Sequence, residues 1–121
     1  TSIDKNILKN EIGVSDNLQD YVVNLAALAK QAGFGGIVSS PQEIEILQKS
    51  VPDMKIVTPG IRPSWAASQD QRRIMTPTEA ISNGAYALVV GRAITKPPAQ
   101  IGDPVTATDM ILEEIASVLP D

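Results

Sequence analysis

The sequence predicts an α/β protein with a parallel sheet, in which short strands and helices alternate. Three observations carry that expectation. GGIVSS, KIVTPG and YALVVGR are apolar along their length instead of at every second position, as strands covered on both faces are. Strand segments alternate with helical ones, and SPQE and TPTE put a hydroxyl residue, a proline and a glutamate in the order that opens a helix. No hairpin signal or low-complexity tract interrupts the alternation, so helices packed on a parallel sheet are the expected architecture.

Taken in order, Ser15 to Gly33 is an amphipathic helix. Leu18, Tyr21, Val22, Leu25, Leu28, Ala29 and Ala32 recur at three- and four-residue spacing, with Ser15 or Asp16 as N-cap and Gly33 as stop. GGIVSS follows as a buried strand. Ser40 then caps a helix with Pro41 at its first position and Glu43 closing a capping box, and Ile44, Ile46 and Leu47 lie behind it. KIVTPG is the second strand, and Thr76, Pro77 and Glu79 repeat the cap before a short helix ending at Asn83-Gly84. YALVVGR is the third strand. Asp103 and Pro104 start a final helix whose expected inner face is Val105, Ile111, Leu112, Ile115 and Leu119.

With 121 residues, 43% of them hydrophobic, the chain suits one globular unit with a real core. It contains three complete βα units and an N-terminal remnant, whereas a whole (β/α)8 barrel needs about 250 residues. Two architectures therefore stand: a doubly wound open sheet, and half of a barrel. Lys and Arg number 10 against 14 Asp and Glu, a net charge of −4 with no basic run, which argues against nucleic acid as the main partner. No apolar run approaches the roughly 20 residues of a membrane helix. There is no Cys and no His, which removes disulfides, thiol nucleophiles, the usual zinc ligand sets and every histidine-based acid/base scheme. The opening TSIDKNILKN has neither an initiator Met nor the pattern of a signal peptide, and reads as a processed or excised piece.

In βα folds, ligands sit at the C-terminal ends of the strands. Three clusters qualify: Ser39 and Ser40, the segment from Pro59 to Arg73, and Gly91-Arg92. Gly91-Arg92 sets a backbone without Cβ crowding beside a guanidinium, a combination that suits an anion such as phosphate. The same residues equally suit an Arg paired with a neighbouring carboxylate at the sheet edge. The connection from Gly60 to about Met75 exceeds the roughly 2–6 residues that βα units need, and suits either a functional lid or a disordered insertion. Within it, the Gln71 amide can donate and accept at once, while Asp70, Arg72 and Arg73 suit structural pairs. Trp65, the single Trp, fits either an anchor for this loop or a packed loop residue.

VTPGIRP, DQRRIMTP and ALVVGRAIT, in this order and at this spacing, closely resemble the C-terminal half of the orotidine 5′-phosphate decarboxylase family. The resemblance covers nearly the whole chain. It implies one partial domain over residues 1–121, the C-terminal half of a TIM (β/α)8 barrel running from the end of barrel strand five, at Thr1-Ser2, through the final helix. It also implies a lyase of pyrimidine biosynthesis that converts orotidine monophosphate to uridine monophosphate and CO2, cytoplasmic, homodimeric and without metal or organic cofactor. Carried over position by position, Ser2 matches the serine on the pyrimidine edge and Pro59 the proline lining the base pocket. Gln71 matches the glutamine reaching phosphate and pyrimidine carbonyl, and Gly91 and Arg92 match the phosphate grip. Two positions depart: Gln69 stands where Gly is frequent, and Ala93 where many members have Pro.

The family's charged array has the signature D-x-K-x-x-D, and none occurs here. Asp53-Met54-Lys55 imitates its first half, but Thr58 stands where the second Asp belongs, and both charges lie at the start of their strand, where ordinary surface roles are expected. No catalytic residue is therefore expected in this chain, the missing N-terminal half is its expected partner, and alone it should be inactive. A stand-alone half-barrel that binds phosphate and self-associates without catalysis is the other expectation.

Overall fold

A computed structural model describes residues 5–10, 14, 17–66 and 75–119. Helix α1 (Lys5–Asn10) leads to α2 (Leu18–Gln31), β1 (Gly36–Val38), α3 (Ile44–Ser50), β2 (Lys55–Thr58), α4 (Pro77–Ser82), β3 (Ala87–Leu88), α5 (Arg92–Thr95) and α6 (Pro104–Ala116). Single 3-10 turns occur at Pro41–Glu43 and Ser64–Ala66. Among the described residues the three strands form one sheet in the order β1-β2-β3, both pairings parallel.

The helix ends follow local chemistry, with two differences from expectation. Asn17 caps α2, its side chain accepting from Gln19 N–H at 3.3 Å, while Ser15 and Asp16 lie outside the described residues. At the other end Gly33, at φ 86°, supplies the left-handed turn that lets Phe34 N–H reach back to the Ala29 carbonyl. The expected SPQE capping box is not formed. Ser40 makes no side-chain cap, and the chain instead takes a 3-10 turn closed by Glu43 N–H to the Ser40 carbonyl at 3.1 Å before α3 begins. The TPTE box does form: Thr76 Oγ1 accepts from Glu79 N–H, and Glu79 accepts from Thr76 N–H at 2.9 Å. Asp103 caps α6 through Val105 and Thr106 N–H.

The core lies between the helices and one face of the sheet, and comprises Ala26, Ile44, Leu47, Val51, Met54, Ile56, Ile61, Ala80 and Ala85. Parallel register puts Ile37 beside Ile56 on that covered face. The neighbouring row, Val38, Val57 and Ala87, turns the other way and is only partly covered by the described residues: Val57 and Ala87 are half-buried, while Val38 is 74% exposed and Val89 51%. An apolar face left partly uncovered is foreign to a finished parallel sheet.

The same incompleteness corrects the predicted helix faces. The stripe of α2 that meets the core is Val22, Ala26 and Ala29, while Leu25 and Leu28 are exposed. On α6, Ala107 and Ile111 are buried, whereas Val105 and Leu112 are exposed, as is Leu119 just beyond the helix. Periodicity marks every apolar position of a helix, including those turned toward a neighbour other than this sheet.

Candidate ligand site at the strand ends

Parallel pairing brings all three strand ends to one edge. The Ser39 N–H donates to the Val57 carbonyl at 3.1 Å, the Thr58 hydroxyl donates to the Ser39 carbonyl at 3.1 Å, and the Val89 N–H donates to the Thr58 carbonyl at 2.8 Å. Thr58 is fully buried, so this hydroxyl welds the ends of β1 and β2. Pro59 follows directly, half-buried at the sheet edge, and Gly91 and Arg92 follow β3 at the same edge.

Gly91 precedes α5, and its carbonyl accepts from Ile94 and Thr95 N–H. Among the described residues nothing accepts from the N–H groups of Arg92 and Ala93. A Cβ placed on Gly91 would meet no described residue within 4 Å, so the described residues leave this space open. Arg92 is exposed and has no carboxylate partner among the described residues. Of the two readings of Gly91-Arg92, an edge ion pair with a described residue is therefore not formed. The geometry leaves one guanidinium and free amides at a strand end, a donor set for an anion.

The connection that follows β2 has a fixed root. Ile61 bridges to Met75 in parallel fashion, Arg62 N–H donates to the Met75 carbonyl at 3.0 Å, and an Arg62 guanidinium nitrogen donates to the Ala66 carbonyl at 3.3 Å. Pro63 is fully buried between them. Gln71 lies outside the described residues, as do Gln69, Asp70, Arg72 and Arg73, and so does Ser2. Of the five sequence-derived binding positions, the structure thus locates Pro59, Gly91 and Arg92, all at one edge.

Asp53 and Lys55 take the ordinary roles expected of them, at the opposite end of β2. Lys30 Nζ lies 2.8 Å from Asp53, and this hydrogen bond and charge hold the Asp53 carboxyl below its ordinary value. Lys55 Nζ sits 4.5 Å from the centre of the Tyr86 ring. A cavity of about 490 Å³ lies elsewhere, where α2, α3 and α4 converge around Gln19, Glu45, Lys49 and Asn83. It shares no residue with the strand-end cluster. Convergent donors at the strand ends carry more chemical information than this open cleft among helices. Sequence reading passed over Thr58, although a lone hydroxyl closing an apolar strand before Pro-Gly is a legible sign of a satisfied buried donor.

Parallel strands with a helical layer on one face, and glycine, proline and arginine at the strand ends, define a protein of the (β/α)-barrel class. The chain superposes on the crystal structure of an orotidine 5′-phosphate decarboxylase from Lactobacillus acidophilus with a TM-score of 0.77 and 35% identity, over 95% of this chain and 45% of that one. The fold is accordingly that of the C-terminal half of a TIM barrel, and the open-sheet alternative falls away. The chain belongs to the orotidine 5′-phosphate decarboxylase / HUMPS family, whose sequence pattern matches residues 1–110. It is 46% identical over 110 residues to the orotidine 5′-phosphate decarboxylase of Pelobacter propionicus, covering 90% of this chain and 44% of that protein. It is 47% identical over 118 residues to that of Trichlorobacter lovleyi, covering 97% and 47%. The chain spans somewhat under half the length of these curated relatives.

Proposed function

We propose that this chain is the phosphate- and pyrimidine-binding half of an orotidine 5′-phosphate decarboxylase, the lyase that releases CO2 from orotidine monophosphate to leave uridine monophosphate. The observation that carries this reading is Arg92, exposed without a carboxylate partner among the described residues and preceded by an open Gly91, at the strand edge that also holds Pro59. Arg92 and the adjacent amides hold the phosphate, and Pro59 lines the base pocket. Ser2 and Gln71, on the resemblance alone, add contacts to the pyrimidine edge and to the bridge between base and phosphate.

Such contacts lie far from the reacting carbon, and their energy serves the transition state by organising the charged groups that act there. Those charged groups follow the D-x-K-x-x-D signature, absent from this chain, so decarboxylation needs residues supplied by the rest of a barrel. The partly uncovered row of Val38, Val57 and Ala87 is where that half packs. A homodimer in the cytoplasm, working without metal or organic cofactor, completes the reading.

The test joins this chain to the N-terminal half of a relative and titrates uridine monophosphate calorimetrically. Arg92→Ala weakens binding by about 10- to 100-fold, the worth of charge-assisted hydrogen bonds to phosphate. Unchanged affinity removes the assignment.

The same partly uncovered face favours a second reading, a non-catalytic half-barrel that covers itself with another copy. Sedimentation of the chain alone separates them: a compact monomer at every concentration rules out the self-associating form.

A further inference from the structure

Ser39 and Ser40 stand at the same strand-end edge as Pro59 and Arg92, and the functional reading above leaves both unassigned. Register separates them. Ser39 continues the ladder, its N–H donating to the Val57 carbonyl at 3.1 Å, and the next rung of a parallel pair runs from the nitrogen of residue 59 to the Ser39 carbonyl. Residue 59 is a proline and has no N–H, so the buried Thr58 hydroxyl fills that rung instead, at 3.1 Å. Ser40 therefore lies beside Pro59. One residue further on, Pro41 Cδ stands 3.9 Å from where a Cβ on Gly60 would sit, so the two chains are still side by side. On the other flank the Val89 N–H donates to the Thr58 carbonyl at 2.8 Å, which sets Val89 next to Pro59.

Alternation fixes which way these residues turn. Ile37, Ile56, Leu88 and Val90 pack on the core, so Val38, Val57, Ala87 and Val89 take the opposite, partly open face. Ser40 follows Val38 by two residues in extended backbone, φ −63° and ψ 148°, and Pro59 follows Val57 by two. Ser40, Pro59 and Val89 thus form the last row of the open face, where β3 gives way to Gly91 and Arg92. The row carries one hydroxyl, and it is unclaimed. Ser40 is half-buried, its side chain caps nothing, and Glu43 N–H takes the Ser40 carbonyl in place of Oγ. Once the rest of a barrel covers this face the hydroxyl is buried, and a buried hydroxyl needs a partner.

We propose that Ser40 is a specificity-determining ligand contact, its hydroxyl hydrogen-bonding a polar group of the nucleoside moiety, a ribose hydroxyl or a pyrimidine carbonyl, beside Pro59. This contact presupposes the functional reading above, which sets a pyrimidine nucleotide at the same edge.

The experiment titrates the joined barrel and its Ser40→Ala variant calorimetrically with uridine monophosphate, ribose 5-phosphate and inorganic phosphate, and follows thermal melting of both. Affinity for uridine monophosphate falls about 2- to 10-fold, the worth of one neutral hydrogen bond, while affinity for inorganic phosphate and the melting midpoint stay unchanged. A parallel fall for ribose 5-phosphate puts the partner on the sugar, and a fall for uridine monophosphate alone puts it on the pyrimidine. Unchanged affinity for uridine monophosphate overturns the proposal. So does an equal loss for inorganic phosphate, and so does a variant that melts several degrees lower or fails to fold, because the hydroxyl then serves the structure and not the ligand. Arg92→Ala in the same assay keeps the two readings apart: if it leaves uridine monophosphate binding intact the functional reading falls, and if it weakens binding while Ser40→Ala does not, only the Ser40 contact falls.

Discussion

The Thr58 hydroxyl donates to the Ser39 carbonyl at 3.1 Å, at the point where β1 and β2 both end. With Thr58 fully buried, the bond has no water to replace it. Thr58→Val keeps the shape, removes the donor and leaves the Ser39 carbonyl short of one partner. The expected loss is about 1–2 kcal/mol of unfolding free energy with an unchanged denaturant slope, measured by urea titration. An equally stable variant would mean that the bond contributes nothing.

Gly36 is fixed by its neighbour strand. A Cβ there would lie 2.6 Å from the Lys55 carbonyl oxygen, which is backbone and cannot step aside without moving β2. Gly36→Ala should therefore cost about 2 kcal/mol or more, in the range of overpacked cores. The circular dichroism melting curve reads this directly, and an unshifted midpoint contradicts the close approach.

Gly91 provides the contrast, since its Cβ would meet no described residue within 4 Å. Gly91→Ala should leave stability within about 0.5 kcal/mol, as surface substitutions do. On the proposed reading, in which the ligand's phosphate fills this space, it should nevertheless weaken uridine monophosphate binding in the joined barrel. Unaltered affinity would show that the phosphate does not come this close.

The capping box of α4 rests on Thr76. Thr76→Ala removes the acceptor for Glu79 N–H and the hydroxyl that donates to the Glu79 carboxylate at 2.9 Å, with an expected loss of about 1 kcal/mol. Thr76→Ser should recover most of it in the same unfolding assay. A serine variant as weak as alanine would point to the methyl group instead.

Acid should unfasten the helix caps. Hydrogen bonds from Thr106, through backbone and side chain, and from the Val105 backbone hold Asp103 below its ordinary 3.8, and those from Thr76 hold Glu79 below 4.5. Depressed carboxyls contribute stability that is complete above the unfolded values and lost as pH falls through the folded ones. Asp103→Asn should thus melt lower than the parent at pH 7, and the gap should close as pH falls from 3.8 through the lowered folded value. A gap that stays constant with pH would show that the charge is irrelevant to the cap.

Local signals carried the order of elements and most of their ends. Strands without alternation, Gly33 after α2, Thr76-Pro77 before α4 and Asp103-Pro104 before α6 are all chemistry within a few residues, and each appears where it was expected. The cap at Ser40 was misjudged because SPQE suits a 3-10 turn as well as an α-helix, and packing of Pro41 and Glu43 decided between them. The outward Leu25, Leu28, Val105 and Leu112 were placed inside for a related reason: periodicity reports that a side chain is apolar, not which neighbour receives it.

The sequence by itself determined a parallel βα protein with Gly91-Arg92, a candidate anion site, after its third strand, and its motifs pointed to the family. These depend on short-range spacing and on residue types whose chemistry is fixed. Only the tertiary structure decided that Arg92 is without a carboxylate partner among the described residues, that Thr58 welds two strand ends, and that one sheet face is left largely open by the described residues. Each of these joins residues as far apart as Ser39 and Thr58, 19 positions, or depends on what fails to approach, and no local pattern encodes such distances.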